Sequence, residues 1–206
     1  MEQGVYLTGD VMYDAALKSI EIAKAKSQIL SRLGIEEKEY LLVTLHRAGN
    51  TDIFNNLASI VDALISLNEE VVFPVHPRTK KALADYGLLD KLEGNSHMKI
   101  ITPVGYFDFL LLEYYAKKIL TDSGGVQKEA YFFKVPCITL RENTEWVETV
   151  EDGWNILVGV NKDLILQAVA GFNPDKSQQN VFGDGKAVEK IVEILVDFFD
   201  DLRMKR

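Results

Sequence analysis

Short apolar runs alternate with amphipathic segments along the whole chain. The apolar runs cover about 40–45, 70–75, 98–101, 118–121, 137–140 and 155–159, and each has the length of a strand. Between and after them, apolar residues recur at helical spacing over about 52–68, 78–86, 106–117, 124–133 and 162–170. The pattern therefore predicts six strand–helix units.

Two further helices are predicted at the ends of the chain. Asp10 is a suitable N-cap for a first helix over about 11–33, which Gly34 would end. A last helix over about 184–201 carries a wide apolar surface formed by Val188, Ile191, Val192, Leu195, Phe198, Phe199 and Leu202. We expect this surface to be exposed or buried in a self-association. The alternative is a helix packed fully on its own sheet.

Strands that are apolar throughout and separated by helices are typical of a parallel sheet covered on both faces. Right-handed crossovers favour a doubly wound, Rossmann-like α/β sheet, with the six strands in the order 3-2-1-4-5-6. Ligands of such sheets bind beyond the carboxyl ends of the strands where the order reverses, here between the first and fourth strands. We expect a connecting segment and helix start over 1–15 and one domain over 10–206.

Composition narrows the function classes. The 206 residues are 47% hydrophobic, enough for a substantial core. The net charge of −8, without a lysine- or arginine-rich run, argues against nucleic-acid binding. The single cysteine, Cys137, excludes an internal disulfide and is expected to pack in a buried strand rather than act as a nucleophile. No apolar run reaches the roughly 18 residues of a membrane span, so we expect a cytoplasmic protein.

The exits of the first and fourth strands are the most polar and glycine-rich, with His46-Arg47-Ala48-Gly49-Asn50 and Asp122-Ser123-Gly124-Gly125. A helix that begins at Ser123-Gly124-Gly125 presents free N–H groups and the positive end of its dipole to a phosphate. His46 and Arg47 would add charge-assisted hydrogen bonds to a diphosphate. A tight strand-to-helix turn capped by serine explains the Ser-Gly-Gly stretch equally well.

Other polar residues lie near the predicted crevice. Glu129, one turn or so past the glycines, suits the hydroxyls of a ribose, although a lone helix glutamate is more often solvated. His76 follows the second strand, but no cysteine or compact acidic cluster joins His46 and His76, so no metal site is expected. The loop from Arg141 to Glu148 could face a sugar or phosphate, or it could be solvated with Trp146 packed on the domain.

Five segments in order resemble the non-hydrolysing UDP-N-acetylglucosamine 2-epimerases, a two-domain family with the architecture of GT-B glycosyltransferases. The segments are VTLHRAGN (43–50), FPVHPRT (73–79), TDSGGVQKEA (121–130), PCITLRENTE (136–145) and EDGWNILVG (151–159). Where many members of the family carry Arg-Pro after the fifth-strand Thr-Glu, this chain has Trp146-Val147. The resemblance covers nearly the whole chain, which corresponds to the second of the two domains.

The resemblance implies roles for individual residues. Ser123, Gly124 and Gly125 would cradle the diphosphate, with Arg47 and a catalytic His46 facing it. Glu129 would bind the ribose. The remaining substrate contacts would be His76 and Arg141 in the crevice and Phe109 near the uracil, although Phe109 could equally belong to the core.

The same resemblance implies the reaction, which interconverts UDP-N-acetylglucosamine and its manno epimer by elimination and re-addition of UDP. No nicotinamide or other cofactor is required. The main acid and base carboxylates belong to the first domain, which nothing in this chain resembles, so we expect weak UDP binding and no activity from this chain alone. Its expected partners are UDP, a UDP-N-acetylhexosamine, the missing domain and possible further copies in a homodimer. A glycosyltransferase donor domain and a non-catalytic nucleotide-binding module are the alternatives.

Overall fold

A computed structural model describes residues 4–204, apart from the side chains of Asp201, Leu202 and Met204. The described residues therefore leave out the first three residues of the predicted connecting segment and the last two of the predicted domain. They also leave out the Leu202 side chain, which was predicted to belong to the apolar surface of the last helix. The sheet at the centre of the fold consists of β1 Tyr40–Thr44, β2 Glu70–Pro74, β3 Met98–Ile101, β4 Lys118–Thr121, β5 Cys137–Thr139 and β6 Asn155–Leu157.

Helices connect the strands and flank the sheet. In chain order they are α1 Val11–Lys26, α2 Ile29–Leu33, α3 Ala48–Thr51, α4 Phe54–Leu64, α5 Pro77–Asp85, α6 Leu89–Glu93, α7 Tyr106–Tyr115, α8 Gly124–Phe132, α9 Val147–Glu151, α10 Lys162–Gly171 and α11 Ala187–Met204. All six predicted strands and their helices are present, with ends that differ by a few residues. The short helices α3, α6 and α9 were not predicted, because a single turn is too short to show a periodicity.

The sheet is fully parallel, with the strand order β3-β2-β1-β4-β5-β6. This order confirms the predicted doubly wound, Rossmann-like arrangement. The reversal point lies between β1 and β4, which pair from Leu41↔Lys118 to Thr44↔Thr121. The hydroxyls of Thr44 and Thr121 are 2.5 Å apart at the carboxyl end of this pair. The next residues of both strands therefore enter the same crevice.

Each face of the sheet has its own buried cluster. One contains Leu41, Val43, Val71 and Phe73 with side chains from α4, α5, α6 and α10. The other contains Tyr40, Leu42, Val72 and Ile119 with side chains from α1, α2, α7 and α8. Because successive strand residues point to opposite faces, β1 to β5 each supply both clusters, which explains the apolar runs along these strands.

The single helix predicted over 11–33 is wrong, because the chain breaks at Ser27–Gln28 between α1 and α2. Ser27 is extended, and its hydroxyl donates to Asp108 at 2.5 Å while accepting from the Ile29 N–H at 3.2 Å. Such side-chain bonds compete with the helical ladder. The predicted ends are correct, since Asp10 caps α1 and Gly34 ends α2 in the left-handed conformation.

The start of the last helix, α11, is capped by a side chain of α1. The Asp14 carboxylate accepts hydrogen bonds from the backbone N–H groups of Ala187 and Val188, at 3.1 and 2.8 Å. Before this helix, Gly183 crosses Gly9 so closely that a Cβ on Gly183 would lie 2.9 Å from the Gly9 Cα. The two ends of the described chain are therefore tied together.

The apolar surface predicted on α11 is exposed in this chain, so a helix packed fully on its own sheet is wrong. Among its members, the exposed side chains are Val188, Val192, Leu195, Phe198 and Phe199, which are each 49–58% exposed. Ile191 is half-buried. Whether a second copy covers this surface stays a prediction.

Candidate functional site

The Asp122 carboxylate organises the crevice at the end of β4. It is fully buried and accepts hydrogen bonds from the backbone N–H groups of His46 (3.1 Å) and Arg47 (3.0 Å). The Asn50 amide donates to the same carboxylate at 3.1 Å and to the Leu140 carbonyl at 3.0 Å. Asp122 therefore fixes the β1 exit against β4, and Asn50 links both to β5.

Two histidines stand at the mouth of the crevice. The His46 Nδ1 lies 3.6 Å from an Asp122 oxygen, and its ring centre is 6.1 Å from that of His76. His76 is the exposed N-cap of α5, where its Nδ1 accepts from the Arg78 N–H at 3.2 Å. The ring of His46 is thus held beside a buried negative charge, and its side chain remains 43% exposed.

Two arginines from different strand exits converge on one carboxylate. Arg47, after β1, and Arg141, after β5, each donate to a different oxygen of Glu145 at 2.8 Å. The hydrogen bond from Arg141 is the main reason that the pKa of Glu145 falls to about 2, with Arg47 adding to it. The crevice therefore contains an anion held by two guanidinium groups.

This anion lies at the start of α8. A Cβ on Gly124 would be 3.5 Å from a Glu145 oxygen and 3.3 Å from the Trp146 Nε1. The first N–H groups of a helix lack partners within the helix. Ser123 is the N-cap residue, but its hydroxyl makes no capping hydrogen bond among the described contacts, so the predicted serine cap is not formed. The Ser123 hydroxyl and the amides of Gly124 and Gly125 therefore lie at the start of α8 without a side-chain cap from Ser123.

Trp146 packs on the body of the domain, as one of the two interpretations expected. Its ring lies beneath the Lys128 Nζ, 4.2 Å from the ring centre, and its centre is 6.1 Å from that of Phe182. Lys128 also forms a salt bridge with Asp10. The Trp146 Nε1 is buried and has no hydrogen-bond partner in the described part of the chain. The loop after β5 thus contacts both the domain body and the crevice.

Glu129 is buried, with 8% exposure, so the expectation of a solvated helix glutamate is wrong. The hydroxyl of Tyr106 on α7 lies 3.5 Å from its Oε1, and Glu113 lies two turns further along the same face of α7. Burial raises the pKa of Glu129 above its usual range. Two buried carboxyl groups, Glu129 in the middle of α8 and Glu113 on α7, are thus neighbours in the described structure.

Phe109 lies on α7 with Tyr106 and Glu113 and is half-buried against the core cluster on that face. Its place near a uracil therefore stays a prediction. Cys137 is buried, as expected for a packing residue, and burial raises the pKa of its thiol to about 12. Such a thiol is not a nucleophile at neutral pH.

The structure brings His46, Arg47, Ser123, Gly124 and Arg141 to one crevice, with His76 at its mouth. Sequence reasoning did not assign Asp122, Asn50, Glu145 or Glu113 to the site. Three of these left a signal in the sequence: Asn50 and Asp122 belong to the two polar strand exits, and Glu113 is a lone carboxylate among the apolar residues of α7. Glu145 joins the site through its contacts with Arg47 and Arg141.

Neither metal ligation nor a membrane span is found in residues 4–204. In that range, no three His, Cys, Asp or Glu side chains cluster in a way that could hold a metal ion. Among the helices described, none combines the length and the apolar character needed to cross a bilayer.

Comparisons with known proteins agree with the resemblance carried by the five segments. A family model described as UDP-N-acetylglucosamine 2-epimerase matches residues 1–196. A UDP-N-acetylglucosamine 2-epimerase homolog of Methanococcus maripaludis is 54% identical over 197 residues, which cover 95% of this chain and 55% of the relative. A UDP-2,3-diacetamido-2,3-dideoxy-D-glucuronate 2-epimerase of Pseudomonas aeruginosa is 44% identical over 193 residues, which cover 91% of this chain and 51% of the relative.

A solved structure shows the same fold. The crystal structure of Methanocaldococcus jannaschii UDP-GlcNAc 2-epimerase, in complex with UDP-GlcNAc and UDP, superposes with a TM-score of 0.85 at 45% identity. The match covers 95% of this chain and 56% of that one. The chain spans about half the length of the relatives it matches.

Proposed function

Because the chain belongs to the UDP-N-acetylglucosamine 2-epimerase family, we propose that it binds the uridine diphosphate part of a UDP-N-acetylhexosamine in the crevice between β1 and β4. The convergence of Arg47 and Arg141 on Glu145, beside the first glycine of α8, carries this proposal. Two guanidinium groups and a helix N-terminus are the groups that bind phosphates in proteins. Here they already hold one anion.

The diphosphate would replace Glu145 as the partner of the two arginines. Its oxygens would then accept from Arg47, from Arg141 and from the amides of Gly124 and Gly125, with the Ser123 hydroxyl as a further donor. Gly124 gives the ligand a close approach to the backbone, since a side chain there would already meet Trp146 and Glu145.

The nucleoside would lie toward α7 and the middle of α8. Glu129 would accept hydrogen bonds from the two ribose hydroxyls, and Phe109 would lie near the uracil. His76, whose ring is 6.1 Å from that of His46, would contact the substrate at the mouth of the crevice. Both the M. maripaludis and P. aeruginosa relatives are named for UDP-sugar epimerases, and UDP is the part that their substrates share.

The complete protein would interconvert UDP-N-acetylglucosamine and UDP-N-acetylmannosamine. A base removes the C2 proton, and the electrons of the C2–H bond form the C1–C2 double bond of a 2-acetamidoglucal. The C1–O bond breaks at the same time, and its electron pair leaves with UDP. A proton then adds to the opposite face of C2, and the UDP oxygen re-forms the bond to C1. His46, beside the buried Asp122, would act on the leaving diphosphate. The carboxylates that move the C2 proton would belong to the other half of the protein.

That other half is the proposed partner of this chain. Closure of two domains excludes water and orients the reacting groups. The exposed apolar side chains of α11 support either the second half of the protein or a second copy of this chain as a neighbour.

Calorimetric titration with UDP, UDP-N-acetylglucosamine and ADP tests the proposal. We expect UDP to bind, Glu129→Ala to weaken UDP binding by about tenfold or more because a charged acceptor is lost, and ADP to bind less tightly than UDP. Glu148→Ala is the control, because Glu148 is an exposed side chain on α9.

The same samples test whether epimerase activity requires the other half of the complete protein. This chain alone should not release glucal or the manno epimer from UDP-N-acetylglucosamine. Equal affinity for ADP and UDP would contradict the uridine assignment, and turnover at the rate of a two-domain enzyme would contradict the need for the other half.

A further inference from the structure

Glu113 is a buried carboxyl group without a hydrogen-bond donor. It lies on α7 with 0% exposure, and neither of its oxygens has a partner in the described part of the chain. Buried polar groups are nearly always hydrogen-bonded, because an unpaired one loses its water without compensation. A carboxyl group in this position therefore needs a chemical explanation.

Glu113 lies two turns along α7 from Tyr106, on the same helix face, and the Tyr106 hydroxyl lies 3.5 Å from Glu129 on α8. The titratable neighbour on that side of Glu113 is therefore another carboxyl, that of Glu129. Two ionised carboxylates offer only acceptors, so neither can donate to the other. The ion pairs described for this chain join neither residue to a cation. A single proton held between the two groups supplies the missing donor and removes one of the two negative charges.

The other titratable groups around the pair are neutral at physiological pH. Tyr106 on α7 places its hydroxyl 3.5 Å from Glu129. Tyr40 on β1 faces Glu113, but its hydroxyl donates to the Leu112 carbonyl at 2.7 Å. Cys137 on β5 is a buried thiol near Glu113. None of these groups brings a positive charge that would allow both carboxyls to ionise.

We propose that Glu113 is a positioning residue that shares one proton with Glu129. Glu113 donates a hydrogen bond, and Glu129 keeps the negative charge that the ribose hydroxyls require. This role rests on the proposed binding of UDP. One Glu129 oxygen is held by Glu113, and the acceptor capacity that remains is aimed at the ligand.

The electrostatics of the pair agree with this arrangement. Burial, and next the neighbouring Glu129, raise the pKa of Glu113 well above its usual range. Glu113 thus holds its proton at a pH at which an ordinary glutamate is ionised. Pairs of carboxyls that share a site ionise one after the other.

Two substitutions of Glu113 separate positioning from packing. Glu113→Gln has the same shape and keeps a neutral donor, whereas Glu113→Met keeps the length of the side chain without a donor. At pH 7 we expect Glu113→Gln to bind UDP within about twofold of the wild type, and Glu113→Met to bind about tenfold more weakly, the value of one lost hydrogen bond to a charged group.

A second ligand locates the effect at the ribose. With 2′-deoxy-UDP, which offers Glu129 one hydroxyl fewer, the difference between wild type and Glu113→Met should shrink to about threefold. Above the pH at which the shared proton leaves, the wild type should lose UDP affinity, while Glu113→Gln should not. Equal UDP affinity of wild type and Glu113→Met would overturn the positioning role, even with Glu129→Ala impaired. Absence of UDP binding by the wild type would overturn the proposed function itself.

Infrared spectroscopy tests the shared proton without any ligand. The wild type at pH 6, where an ordinary glutamate is ionised, should show the C=O stretch of a protonated carboxylic acid, and this band should be missing from Glu113→Gln. A wild-type spectrum without the band would overturn the proposal, whether or not the Glu113→Met variant folds.

Discussion

Glu145 and Glu113 are two carboxyl groups on either side of the proposed site that are held in opposite ways. Glu145 is 48% exposed and bound by two arginines, which lower its pKa to about 2. Glu113 is fully buried beside another carboxyl, and its pKa is raised. An exposed carboxylate bound by arginines is an anion that another anion can replace. A buried pair of carboxyl groups without a cation nearby holds a proton. The first can yield its place to a phosphate, and the second can hold a neighbouring side chain.

The largest expected effect is on the pH dependence of stability through Glu113. Its folded-state pKa is raised above the unfolded value near 4.5, so the folded state keeps a proton that the unfolded state loses. The contribution of this proton to the free energy of unfolding is therefore complete below pH 4.5 and is lost as pH rises through the folded pKa of Glu113. The expected slope approaches 1.4 kcal/mol per pH unit, about the value for one proton.

Urea unfolding of wild type and Glu113→Gln between pH 5 and 9 measures this slope. Glutamine cannot ionise, so the free energy of unfolding of the variant should decline less steeply with pH. Glu148→Gln, on an exposed side chain, should follow the wild type. Parallel curves for wild type and Glu113→Gln would show that Glu113 holds no such proton.

The next effect concerns the exposed carboxylate. Glu145→Gln removes the negative charge that Arg47 and Arg141 share, so a diphosphate no longer has to displace it. We expect UDP to bind about two- to threefold more tightly, since exposed ion pairs of this kind contribute about 0.5 kcal/mol. Calorimetry at pH 7 measures the change, and Glu148→Gln again serves as the control. Weaker binding by Glu145→Gln would mean that Glu145 orients the arginines for the ligand instead of competing with it.

The same contrast explains how much could be predicted from the sequence. Strand order and the crevice followed from apolar runs and glycine-rich exits, because burial on both faces of a parallel sheet leaves a strong pattern. The break at Ser27 escaped prediction because its cause is a hydrogen bond to Asp108, 81 residues away. Glu145 escaped because its two arginines come from different strand exits, which only the fold brings together.

Burial of Glu129 was the hardest feature to predict. Glutamates on helices are usually solvated, and nothing in the local sequence places this one against Glu113, sixteen residues earlier on another helix. The family resemblance suggested its ribose contact but not its neighbour. Chemistry that depends on two buried side chains from separate helices is set by packing and not by a local motif.

The smallest expected effect is the pH dependence of stability through Glu145. It has the opposite sign to that of Glu113, because stability is lost as pH falls. The folded pKa of Glu145 is lowered to about 2 from 4.5, chiefly by Arg141, so its contribution to stability is present above pH 4.5 and is lost as pH falls through 2. Because the side chain is 48% exposed, solvent screens the pairs, and we expect no more than about 0.5 kcal/mol. Urea unfolding at pH 6 and pH 3 should show the difference between wild type and Glu145→Gln narrowing at the lower pH. A difference that widens toward pH 3 would mean that Glu145 binds its proton more tightly in the folded state, as Glu113 does, and the contrast between the two carboxyls would disappear.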